Sequence, residues 1–337
     1  MKLNRFATYA WAALGYNLLV IMWGAYVRAS VSGDGCGSHW PLCNGEIIPS
    51  TGQVKTLIEL THRLSSGVAL LLVVGLVVWA RRAYPKKHTV RQAAMFSLLF
   101  IITEALIGAG LVLFRMVAEN ASIARAFWMS GHLVNTFLLL AALTLTAWWA
   151  SGGERARIRG QGTIIAVFVA ALIGMLILGV SGAVTALGDT LFPASSLAEG
   201  LQKYSSPTAH ILLPLRILHP VIAIAVGVYL IFVASIARSQ RPGVWTKRLA
   251  VVLVALVLIQ LGAGALNVKL LAPTWMQLVH LLLSDLVWIA LMLLMTVALT
   301  PAEAREERLR SSVPAPRTEE LEETLKKYPA LTRSREG

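Results

Sequence analysis

Residues 59–82 read ELTHRLSSGVALLLVVGLVVWARR, and this stretch decides the fold. Beyond His62 and Arg63, the run Leu64–Ala80 carries no charge and is closed by Arg81 and Arg82. About 20 apolar residues of helix cross a bilayer's hydrocarbon core. Lipid offers the backbone no hydrogen-bond partner, so such a run must be a helix rather than an isolated strand. The same pattern recurs at Ala7–Val27, Ala93–Phe114, Gly131–Ala150, Thr163–Ala186, Pro220–Ala237, Ala250–Val268 and Val279–Thr300. The expectation is an all-α integral membrane protein with eight transmembrane helices.

Composition agrees, with 56% hydrophobic and only 14% charged residues in 337. A water-soluble domain needs more polar surface than that. The net charge of +13 invites a nucleic-acid reading, which its distribution rejects. With the N-terminus placed inside, 22 of the 30 lysines and arginines fall on inner segments: Lys2 and Arg5, 81–91, 155–159, 238–248 and the tail. That alternation follows the positive-inside rule and puts both termini in the cytoplasm, with the chain in the plasma membrane. No cleavable signal peptide is evident, because the first apolar run has full transmembrane length. The charged tail 301–337, with Pro314, Pro316 and Pro329, reads as a solvated extension.

The chain divides into two four-helix halves, 1–150 and 151–300, that echo each other. Gly24-Ala25 in the first helix recurs as Gly182-Ala183 in the fifth. Gly108-Ala109-Gly110 in the third recurs as Gly262-Ala263-Gly264 in the seventh. His62, His132, His219 and His280 open the second, fourth, sixth and eighth helices. Halves offset by an even number of spans form a parallel repeat, here two four-helix bundles about an axis along the membrane normal. Long outer loops at about 28–61 and 187–217 also correspond.

Even-numbered helices all start at the outer face, so the four histidines share one depth, two in each bundle. Ionisable side chains inside spans mark functional sites. Two imidazoles on facing helices suit axial ligation of haem iron, whose macrocycle supplies the other ligands. Zinc fits less well, because its sites draw three or four protein ligands together.

Glu59 precedes His62 by three positions and Arg216 precedes His219 by the same offset, on one face of each helix. Glu59 beside a haem could move protons, or could simply be an acid in a first helical turn. Arg28, Arg63, Arg216 and Lys269 are outer cations placed for haem propionates or for interfacial snorkelling. Glu104 in the third helix and Asp285 in the eighth are proton-path elements or internally paired acids. His39, His88 and His210 fall in loops and are not taken as ligands. Cys36 and Cys43, the two cysteines, lie in the first outer loop, where an oxidising setting closes a disulfide. Such a bridge is a structural staple or a redox-active pair.

Gly24-Ala-Tyr-Val-Arg-Ala-Ser30, then Gly33-Asp-Gly-Cys36, His39-Trp-Pro-Leu-Cys43-Asn-Gly45 and Glu59-Leu-Thr-His62-Arg63 together resemble bacterial haem A synthases. Gly131-His132, Leu218-His219-Pro220 and Val279-His280 extend the resemblance across all eight spans. It implies an oxidoreductase that converts the C8 methyl group of haem O to the formyl group of haem A, for cytochrome oxidase biogenesis. It further implies that His219 and His280 ligate a resident haem b, with Arg216 beside it. His62 and His132 would hold the substrate haem O with Glu59 assisting, and Cys36–Cys43 would match the subgroup with a disulfide in this loop. Haem O synthase, cytochrome oxidase assembly factors and an oligomeric assembly are the partners it suggests, with the bilayer holding the substrate's farnesyl tail. Two other classes compete. A di-haem b electron-transfer cytochrome would have no use for Glu59, and a parallel-repeat transporter would place its polar groups at mid-membrane.

Overall fold

The computed structural model describes residues 3–47, 49, 52–205 and 212–300. Among these residues the secondary structure is helical: α1 (Arg5–Ala29), α2 (Val54–Ala83), α3 (Thr89–Leu113), α4 (Ile123–Ala150), α5 (Thr163–Leu191), α6 (Leu197–Ser205), α7 (Leu212–Gln240), α8 (Val244–Lys269) and α9 (Thr274–Ala298). Eight of them, all but the short α6 between α5 and α7, are long and apolar enough to span a membrane. The all-α, eight-span expectation holds. His210 and the tail 301–337 lie outside the described residues.

The histidine-bearing helices begin earlier than their apolar runs. The second helix starts at Val54 instead of Leu64, the fourth at Ile123 instead of Gly131, and the eighth at Thr274 instead of Val279. The added turns carry Lys55, Thr56, Glu59 and Arg125, which are too polar for a lipid-crossing pattern yet fully compatible with helix. The four histidines therefore sit two turns or so inside their helices, a correction to the expectation that they open them. At α4 the new start is marked by Ser122, whose Oγ accepts the Arg125 backbone N–H at 3.2 Å as an N-cap.

Consecutive spans pack as antiparallel neighbours: α1 with α2, α2 with α3, α3 with α4, and likewise α5 with α7, α7 with α8, α8 with α9. Helices α4 and α9 are the most buried and pack on each other. Their junction is fixed by Trp288, whose indole stacks on Phe137 at 4.9 Å between centroids and donates Nε1–H to the Phe137 carbonyl at 2.7 Å. One hydrophobic core, from Phe6 to Leu299, runs through all eight spans. Outward-facing Leu71, Ile173, Val228 and Leu258 are at least half exposed, as suits side chains that meet lipid.

Candidate functional site

Each histidine ring lies against the partner helix at one of the glycines that echo along the chain. A Cβ on Gly24 of α1 would come within 2.9 Å of His62 Cε1 on α2. The corresponding approach of Gly182 on α5 to His219 on α7 is 3.1 Å. A Cβ on Gly264 of α8 would also stand 3.1 Å from His280 Cε1, and one on Gly108 of α3 would stand 3.8 Å from His132 Nε2. At three of these seats an added Cβ would crowd the imidazole and make it shift, which gives the small-residue pattern a concrete use. The match between halves is not perfect. In α8 the last glycine of the triplet faces histidine, whereas in α3 the corresponding Gly110 lies under Trp128.

The rings differ in what holds their second nitrogen. His219 Nδ1 lies 2.9 Å from Ser181 Oγ. His132 Nδ1 lies 2.9 Å from Glu104 Oε1, although the ring edge is not aligned for a regular hydrogen bond. His62 Nδ1 and His280 Nδ1, like His132 Nδ1, are buried without a regular hydrogen bond. His62 and His132 lie close enough to interact electrostatically. His219 and His280 have centroids 6.3 Å apart with planes at 86°. Imidazole nitrogens bind metals at about 2.0–2.1 Å, which sets the centroids of two rings on opposite sides of one metal roughly 6 Å apart. The centroid spacing of the second pair is of that size.

Glu59 is 3% exposed and fully engaged. Its Oε2 accepts the Cys36 backbone N–H at 2.8 Å, and its Oε1 accepts Arg63 Nη2 at 2.5 Å and Nε at 3.2 Å. Arg63 Nη1 in turn donates to the carbonyls of His39 at 2.8 Å and Leu42 at 2.7 Å. Cys36 and Cys43 form a disulfide, so the bridged loop, Glu59 and Arg63 are one cluster. Gly35 seats the loop on α2, since a Cβ there would come within 2.4 Å of the Lys55 carbonyl oxygen. The Glu59–Cys36 hydrogen bond could not be foreseen, because a separation of 23 positions through a loop carries no register signal.

The outer cations also hold protein groups. Arg28 reaches from α1 to the end of α5, donating to Ala186 O at 2.6 Å and Thr190 Oγ1 at 2.7 Å, and to Gln277 of α9 at 2.9 Å. Arg216 pairs with Asp189 and donates to Phe192 O at 3.3 Å. Arg125, which the sequence reading passed over, ties α4 to its preceding loop through Ala118 O at 2.6 Å and Asn120 O at 2.8 Å. Lys269 is the last residue of α8. His88 caps α3 by accepting the Val90 N–H at 3.2 Å, and His39 stays in the disulfide loop. Asp285 is fully buried on α9, with both oxygens unpaired. Beside His132, Ile107, Phe127, Trp128 and Gly131 line a groove of about 230 Å³ between α3 and α4.

Fold and site together define a polytopic helical membrane protein with four histidines seated on small residues at one end of its spans. The chain belongs to the cytochrome oxidase assembly protein family, whose model matches residues 7–292. Among characterised relatives, a protoheme IX farnesyltransferase of Thermus thermophilus is 52% identical over 304 residues, 90% of this chain and 50% of that protein. The haem A synthase of Halalkalibacterium halodurans is 39% identical over 126 residues, 37% of this chain and 42% of that protein. That of Bacillus cereus is 43% identical over 95 residues, 28% of this chain and 30% of that protein. The chain thus spans about half the length, or less, of these relatives.

Proposed function

We propose that the chain is a haem A synthase. In this reading it oxidises the C8 methyl group of haem O to a formyl group: one oxygen atom enters, and hydrogens and electrons leave to an acceptor. The observation that carries the reading is the arrangement of two histidine pairs at one end of the spans, each ring against a partner helix at small residues. Family membership and two haem A synthase relatives support it.

His219 and His280 hold a resident haem b, which supplies a one-electron redox centre within the protein. Their 6.3 Å ring spacing supports this assignment. His62 and His132 hold haem O, and the apolar groove beside His132 offers a lipid-side seat for a farnesyl chain. Glu59 fixes the outer loop over this half and holds a carboxylate one helical turn from His62. Arg216, paired with Asp189, fixes the outer end of the haem b half. The protein lies in the plasma membrane with both termini cytoplasmic. An enzyme that farnesylates protohaem supplies the substrate, and cytochrome oxidase assembly consumes the product.

The similarity to a farnesyltransferase supports a second reading, in which the chain transfers the farnesyl group itself. Such transfer from a diphosphate calls for carboxylates gathered to hold magnesium. Here Glu59, Glu104 and Asp189 each pair with a different Arg or His, which favours the oxidation. Membranes containing the chain, incubated with haem O, should accumulate a formyl-bearing haem detectable by chromatography. Conversion of haem B and farnesyl diphosphate to haem O, with haem O itself left unchanged, would establish the second reading instead.

A further inference from the structure

The first and second halves support their histidines with different chemistry. Glu104 of α3 lies 2.9 Å from His132 Nδ1. The carboxylate is itself held on both oxygens: Asn135 Nδ2 donates to Oε2 at 2.5 Å, and the Thr136 hydroxyl bonds to Oε1. Asn135 is fixed in turn by donating to Phe100 O at 2.8 Å and accepting from Thr103 Oγ1 at 2.6 Å. The amide of Asn135 thus has all its partners, and Glu104 has one orientation.

Among the described residues, the hydrogen-bond partners of the second pair are neutral. His219 has the neutral Ser181 hydroxyl at 2.9 Å. His280 Nε2 lies 3.4 Å from the neutral Gln260 amide nitrogen. The seats correspond here in position but not in charge: Glu104 stands four residues before Gly108, and the residue four before Gly264 is Gln260, a neutral amide.

A carboxylate beside the non-ligating nitrogen of a histidine orients the ring, fixes its tautomer and raises its basicity as a ligand. A neutral hydroxyl or amide does this more weakly. We propose that Glu104 is a positioning residue that makes His132 the most strongly donating of the four histidines toward the iron it ligates. The inference rests on the reading of these histidines as haem ligands. A stronger axial donor stabilises the ferric state and lowers the reduction potential of its haem. The haem of the first half therefore has the lower potential, with Glu104 as the cause.

The test is an optical redox titration of the purified full-length chain loaded with haem B, resolving the potentials of the two haems. In Glu104→Gln, which keeps size and an acceptor oxygen but removes the charge, one potential rises and the other stays in place. Thr136→Val removes a donor that draws on the carboxylate's charge while leaving the carboxylate itself, so the same potential falls. Opposite shifts confined to one haem establish the proposal. Loaded variants whose potentials do not move, or move together in one direction, overturn it and leave the functional reading intact. A Glu104→Gln chain that no longer takes up the first haem leaves Thr136→Val to decide by the sign of its shift. A wild-type chain that takes up no haem overturns both.

Discussion

Gly24 shows most simply what a single residue does in this protein. A methyl group added there would lie 2.9 Å from the His62 ring and would push it off its seat. Gly15, one face away on the same helix, has nothing within 4 Å of an added Cβ. Gly24→Ala should therefore remove one of two haems from the absorption spectrum, and Gly15→Ala should remove none. Equal haem content in the two variants would deny Gly24 its role. Glu59→Gln retains an acceptor for the Cys36 N–H, so haem binding should persist, while formation of haem A falls sharply. Haem content together with chromatography of extracted haem separates these, and full activity would remove Glu59 from the chemistry. Residue identity at the four histidines was readable because they recur in order with the glycines. Their supports were not: the Glu104–Asn135–Thr136 network and the Arg28–Gln277 bond join residues distant in sequence, and polar residues scattered through apolar runs do not announce partners.

At the scale of elements, length and composition made the eight spans legible, whereas their outer ends were hidden. Helices α2 and α4 each continue about two turns beyond their apolar runs because helix propensity tolerates Lys55, Glu59 and Arg125 where membrane patterning does not. Helix α6 escaped notice because its nine residues are too polar and too short to carry a transmembrane signal. The outer turns of α2 are fastened to the bridged loop by Glu59 and Arg63, so the disulfide and the helix end should loosen together. A bridge closing so short a loop contributes about 2–3 kcal/mol in the chain-entropy account. Cys36→Ser combined with Cys43→Ser should lower the thermal midpoint and speed amide exchange in the first turns of α2. The matching outer turns of α7 should be unaffected. Unchanged exchange in α2 would mean that the loop merely rests on the helix. The expected parallel repeat of two four-helix halves rests on the glycine and histidine echoes. The echo is inexact at this level, since the first glycine of the α3 triplet and the last of the α8 triplet face histidine.

For the whole molecule, eight helices are long and apolar enough to span a membrane, and the proposed cytoplasmic placement of both ends rests on the distribution of lysine and arginine. Both cysteines of the chain are in the bridge, so an introduced thiol reports its own position. In intact cells an impermeant maleimide should label Glu119→Cys, in the loop between α3 and α4, and spare Lys87→Cys, between α2 and α3. The reverse pattern would invert the topology. Across the molecule, the histidine end carries the fixed polar clusters, while α4 and α9 join the halves through Phe137 and Trp288. The arrangement suits chemistry on a lipid-borne haem next to a second, fixed one. The most direct test is to express the chain in a host that makes haem O but no haem A, and to chromatograph the extracted haems. Haem A appearing only in cells that carry the chain is the predicted result. Haem O remaining unchanged beside folded, haem B-loaded protein would contradict the account and leave an electron-transfer cytochrome.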